Sequence, residues 1–84
     1  MIDRSSLRMM RLYTNRRGNS GVIEYAPGAE AIIIRFRNGD TYLYDYHTPG
    51  PRKVERMKQL AGKGVGLATF INKHVRDSYA KKLT

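Results

Sequence analysis

The chain has no cysteine. Disulfide staples and thiolate metal sites are excluded, and with them the usual framework of a small secreted domain. Long apolar runs are also missing: the longest, Ala31 to Ile34, falls far short of the roughly 20 residues a membrane-spanning helix needs. The first twenty residues lack the apolar stretch of a secretory signal, so the expected location is cytoplasmic. Carboxylates are scarce, 7 against 16 lysines and arginines, for a net charge of +9 and a pI near 10.3. Such an imbalance points to a polyanionic partner, with solubility alone as the bland alternative.

What remains is enough to fold. The 84 residues suffice for a single domain, and 40% hydrophobic types with 27% charged residues are ordinary proportions for one. The core of so short a chain is thin, which leaves room for a dimer or a permanent partner. Charge is distributed unevenly. Residues 1–20 set Arg4, Arg8, Arg11, Arg16 and Arg17 against Asp3 alone. The middle is mildly acidic, and from Gly50 onward only Glu55 and Asp77 oppose a series of bases running from Arg52 to Lys82.

The organisation expected is a basic arm, residues 1–19, followed by a single domain, residues 20–84. Arg16-Arg17-Gly18-Asn19-Ser20-Gly21 has turn chemistry, so the first core element begins after it. Val22 to Ala26, Ala31 to Arg37 and Asp40 to Tyr46 read as three strands, divided by Pro27-Gly28 and Asn38-Gly39. Pro51 suits the first position of a helix, whose apolar stripe is Val54, Met57, Leu60 and Ala61. Arg52, Lys53, Arg56 and Lys63 back that stripe. Leu67, Phe70, Ile71, His74, Val75 and Ser78 or Tyr79 follow the spacing of a second helix, running to about Lys82. The fold class expected is α+β: a three-stranded antiparallel meander covered by two C-terminal amphipathic helices.

Tyr42, Tyr44 and Tyr46 alternate, so the register of the last hairpin decides what they do. A two-residue Asn38-Gly39 loop places them with Arg35 and Arg37 as a platform for stacking bases. A three-residue loop with Gly39 in a left-handed bulge places Tyr42 opposite Ile34 and Tyr44 opposite Ile32, which makes a core. The second register gathers the apolar residues onto one face and satisfies the pattern better.

Several of these residues together carry a resemblance. Ser20-Gly21-Val22-Ile23-Glu24-Tyr25, Ile34-Arg35-Phe36-Arg37-Asn38-Gly39, Tyr42-Leu43-Tyr44, and then Gly66, Phe70, Ile71, Val75 and Tyr79 occur in the order seen in the KTSC domain. That family is named after the C-terminal domain of some lysyl-tRNA synthetases, and the chain is similar to it from Ser20 to Tyr79. Many members have Val-Pro where this chain has His47-Thr48-Pro49-Gly50. The resemblance implies a small domain for which RNA binding has been suggested, with Phe36, Gly39, Tyr42, Tyr44, Phe70, Ile71 and Tyr79 as motif positions of structural weight.

Catalysis finds little support in the sequence. The serines Ser5, Ser6, Ser20 and Ser78 form no triad with a histidine and a carboxylate, and no pair of carboxylates suggests acid–base work. His47 and His74, even with Asp45, make a poor metal set; His74 reads instead as a hydrogen-bonded residue at the core edge. No cofactor is implied. Gly62-Lys63-Gly64-Val65-Gly66 precedes a helix, as a phosphate loop would, but lacks the Walker pattern and reads better as the end of one helix and the start of the next. The expected function is a non-enzymatic nucleic-acid-binding accessory module, directed at RNA. Its phosphate contacts would be Arg16, Arg17, Lys53, Lys63, Lys73, Arg76, Lys81 and Lys82. The competing class is a protein-interaction or self-associating module, with a second copy or an acidic protein as partner.

Overall fold

A computed structural model of the chain describes residues 10–14 and 20–84. It is α+β. Five strands form one antiparallel sheet in sequence order: β1 (Arg11–Leu12), β2 (Val22–Pro27), β3 (Ala31–Phe36), β4 (Thr41–Asp45) and β5 (Lys81–Lys82). Two helices lie between β4 and β5 in the chain: α1 (Pro51–Lys63) and α2 (Leu67–Phe70), the latter continuing as a π-helical segment over Ile71–Val75. The expected meander is thus the centre of a wider sheet. Each edge gains a two-residue strand too short to show any period.

The hairpin between β3 and β4 takes the three-residue register. Tyr42 pairs with Ile34 and Tyr44 with Ile32, while the Phe36 N–H donates to the Asp40 carbonyl at 2.8 Å and the Gly39 N–H to the Phe36 carbonyl at 2.9 Å. Gly39 has φ of +95°, a left-handed conformation that disfavours any residue with a Cβ. We expect Gly39→Ala to cost about 1–2 kcal/mol, read from the midpoint of urea unfolding; a variant as stable as the parent chain would disprove the bulge. On β2 the register shifts between Val22 and Glu24. Ile23 is the extra residue, so Val22 and Tyr25 both face the helices despite their odd spacing.

The core lies between that sheet face and the helices. Ile32, Ile34 and Tyr44 from the sheet meet Val54, Met57, Leu60 and Ala61 of α1 and Leu67, Ile71 and Val75 of the second helical run. Helix α1 matches its expected stripe and ends at Gly64, which has φ of 75° and returns its N–H to the Leu60 and Ala61 carbonyls. The second run departs from expectation. It stops at Val75 rather than near Lys82, and its buried residues, Leu67, Ile71 and Val75, recur every four positions, as the wider turn of a π-helix favours. Phe70 moves to the flank and His74 is exposed, which corrects the placement of His74 at the core edge. Tyr79 sits beyond the helix, against the rings of Tyr42 and Tyr44.

Part of the stretch expected to be an arm joins the domain. Arg11 and Leu12 pair with Tyr25 and Glu24, and Tyr13 is 6% exposed within the core. Its hydroxyl accepts a hydrogen bond from the Leu67 N–H at 3.3 Å. That donor is one of the free N–H groups at the start of α2, so a side chain far back in the sequence caps the second helical run.

Candidate nucleic-acid interface

Helix α1 turns Val54, Met57, Leu60 and Ala61 inward, and the same periodicity turns Arg52, Lys53 and Arg56 to solvent. The π-helical segment brings Phe70 and His74 alongside. Together these residues and Gln59 line an open groove of about 410 Å³. The rings of Phe70 and His74 are in tilted contact, with centroids 4.8 Å apart and planes 38° from parallel. Lys53 Nζ donates to the His74 carbonyl at 3.1 Å, which ties the two walls, and Arg56 donates to the Gln59 side-chain oxygen at 3.1 Å.

Among the described residues Glu55 is the only carboxylate lining this groove, and it is already engaged. It accepts from Lys58 at 2.8 Å and from the Tyr46 hydroxyl at 2.6 Å. The Lys58 hydrogen bond, then that from Tyr46, holds the Glu55 carboxyl below its usual range. The same contact with Glu55, ahead of partial burial, raises the Tyr46 phenol. Among the described residues the cations of the groove therefore have no free carboxylate beside them. The first turn of α1 contains no acidic residue, so Arg52 and Lys53 stand at the positive end of the helix dipole. That placement disfavours the helix by a few tenths of a kcal/mol per charge and favours an anion.

A second concavity, an open cleft of about 440 Å³, lies between the β3–β4 turn and the residues after α2. Phe36, Tyr42, Tyr44 and Tyr79 floor it, with Arg37 and Arg76 among its lining. Tyr42 is central, with Phe36 edge-on at 5.7 Å and Tyr79 tilted at 4.6 Å. Partial burial, and then the Asp40 carboxylate, raise the Tyr42 phenol above its ordinary value.

No family model, curated protein or solved structure matches this chain. The resemblance to the KTSC domain rests on the motif residues alone. Five of those residues, Phe36, Tyr42, Tyr44, Ile71 and Tyr79, line the same cleft, while Gly39 makes the adjoining turn and Phe70 lines the interhelical groove.

Those of the expected phosphate contacts that lie among the described residues are divided between several parts of the fold. Arg16 and Arg17 lie outside the described residues. Lys53 lines the groove and Arg76 the cleft. Lys82 pairs with Tyr42 across the ladder and Lys81 with Leu43, so the two project to opposite faces. Lys82 stands 3.6 Å from Asp40 and 5.9 Å from the centre of the Tyr42 ring. Lys63 is exposed in the last turn of α1, and Lys73 is exposed on the π-helical segment. The Gly64 N–H returns to α1 and the Leu67 N–H is taken by Tyr13, so the glycine loop offers few free donors. Arg52 and Arg56, which complete the groove, are absent from the expected set because the sequence shows them only as the solvent side of a helix.

Among the described residues no group of acidic residues and histidines is arranged to hold a metal ion. None of the described helices is long and apolar enough to cross a membrane. Tyr44, 1% exposed, has its phenol raised well above the ordinary value, chiefly by burial. The unfolded chain releases this proton near pH 10 while the folded chain retains it, so stability falls as pH rises beyond about 10. One such group contributes at most about 1.4 kcal/mol per pH unit. Urea unfolding from pH 9 to 11 should show a shallower alkaline decline for Tyr44→Phe than for the parent chain. Identical slopes would remove Tyr44 as its source.

Proposed function

We propose that this protein is a small non-enzymatic module that binds nucleic acid, RNA in particular, through the groove between α1 and the π-helical segment. The observation that carries this reading is the joining of Arg52, Lys53 and Arg56 with a tilted pair of rings in one groove where Glu55, the one carboxylate among its described lining residues, is already bound. Cations that track a phosphate backbone, beside rings on which bases stack, are how single strands are held without sequence preference. The net charge of +9 and the resemblance to the KTSC domain support the same partner.

The sheet edges favour this reading over self-association. Both are closed by strands of two residues bearing Arg11 on one side and Lys81 and Lys82 on the other, and short basic edges resist pairing with another strand. The test is a titration of fluorescently labelled single-stranded RNA with the full chain at a series of salt concentrations. Affinity is expected to fall steeply with salt and to vary little with sequence. A stable dimer by sedimentation, with no RNA association in dilute buffer, would favour the protein-interaction class and end this proposal.

A further inference from the structure

The aromatic cleft lies apart from the interhelical groove and has a different character. It draws on four separated parts of the chain among the described residues: Gly21 before β2, the β3–β4 hairpin, the π-helical segment and the stretch before β5. Its volume of about 440 Å³ falls within the 300–1,000 Å³ typical of small-molecule sites. Planar walls suit a planar ligand. Tyr79 is only half-buried, so part of its ring remains available beside Tyr42.

The charges around those rings choose the sign of the ligand. Asp40 is occupied, accepting from Asn38 at 3.3 Å and Tyr42 at 3.4 Å and lying 3.6 Å from Lys82. The Arg37 guanidinium donates to a neutral carbonyl, that of Ser20, at 2.9 Å. Arg76 has no side-chain partner among the described residues. A cationic ligand would meet these guanidinium groups, whereas an anion would gain charge-assisted hydrogen bonds from them. Asn72 and Asp77 also line the cleft. An amide and a carboxylate are the side chains that pair with the polar edge of a nucleobase.

We propose that this cleft binds a nucleoside monophosphate, with the base against Tyr42 and Tyr79, its edge toward Asn72 and Asp77, and the phosphate held by Arg37 and Arg76. The site does not require the interhelical groove to contact RNA.

The experiment is an NMR titration of the full chain with adenosine and guanosine monophosphates, with adenosine and inorganic phosphate as separate arms. Saturable shifts are expected at Tyr42, Tyr79 and Arg76, and adenosine alone should bind about tenfold more weakly than its monophosphate. Arg76→Gln, an exposed change that touches no core residue, should weaken the nucleotide by about tenfold. Tyr79→Leu, which keeps the bulk and removes the aromatic face, should weaken it by a similar factor. The proposal fails if no cleft resonance moves at about 10 mM nucleotide, or if inorganic phosphate binds as tightly as the nucleotides. Nucleotide binding without RNA association would sink only the groove; RNA association with an inert cleft would sink only this site.

Discussion

An Arg52→Gln, Arg56→Gln double variant is expected to bind single-stranded RNA with a salt dependence about 1.4 units shallower, in log affinity against log salt, than the parent chain. Each phosphate contact on a single strand contributes about 0.7 to that slope through counterion release, and two contacts are removed. Both residues are exposed and neither belongs to the core, so the fold should survive. Parallel salt plots for parent and variant would reject the groove as the contact. Arg52→Glu adds a converse reading. An acidic residue in the first turn suits the helix dipole, so this variant should gain about 0.3–1 kcal/mol of stability while losing RNA affinity.

Tyr13→Ala should be the most destabilising of the changes considered. The ring is buried in the core, and deleting a large buried aromatic costs about 3–5 kcal/mol. A domain of this size has only about 5–15 kcal/mol in total, and its melting temperature falls by about 4–8 °C for each kcal/mol lost. Tyr13→Phe isolates the polar part: it keeps the ring but leaves the Leu67 N–H without its acceptor, at a cost of about 1–2 kcal/mol. Thermal unfolding of both variants by circular dichroism separates the two contributions. A melting temperature for Tyr13→Ala within about 4 °C of the parent, less than 1 kcal/mol on that scale, would show that residues 11–13 are dispensable to the domain.

The parts of this fold that were legible from the amino-acid order are those with a period or a mandatory residue. Helix α1 announced itself through Val54, Met57, Leu60 and Ala61, and Gly39 together with the alternation of Ile32, Ile34, Tyr42 and Tyr44 favoured one hairpin register. The elements that escaped have neither. Strands β1 and β5 are two residues long and exist because neighbouring strands offer unpaired backbone groups, which nothing local to Arg11 or Lys81 reveals. The π-helical segment misled for a different reason. Phe70 and His74 fit an α-helical stripe, but the wider turn aligns Ile71 and Val75 with Leu67 instead.

Function was harder to read, because proximity in space is not written in spacing. Arg52 and Arg56 were visible only as the polar side of a helix; the ring pair that gives them meaning sits on the next one. The cleft joins Phe36 to Tyr79, which lie far apart in the sequence, and the motif tyrosines in it were weighed as either core or platform. The register makes them core residues at different depths. Tyr44 is enclosed, whereas Tyr42 and Tyr46 are half-buried at the margin, because a sheet face covered by one full helix and one short one is not covered completely.

Strand β5 contributes few hydrogen bonds, yet it occupies the outer side of β4, where the Leu43 and Thr41 carbonyls accept from the Ala80 and Leu83 N–H groups, each at 2.7 Å. Without it, a hydrophobic strand would present an open backbone ladder to every other molecule in a concentrated sample. The two lysines thus act as a fender, and removing them together with their strand should make the chain more prone to clump.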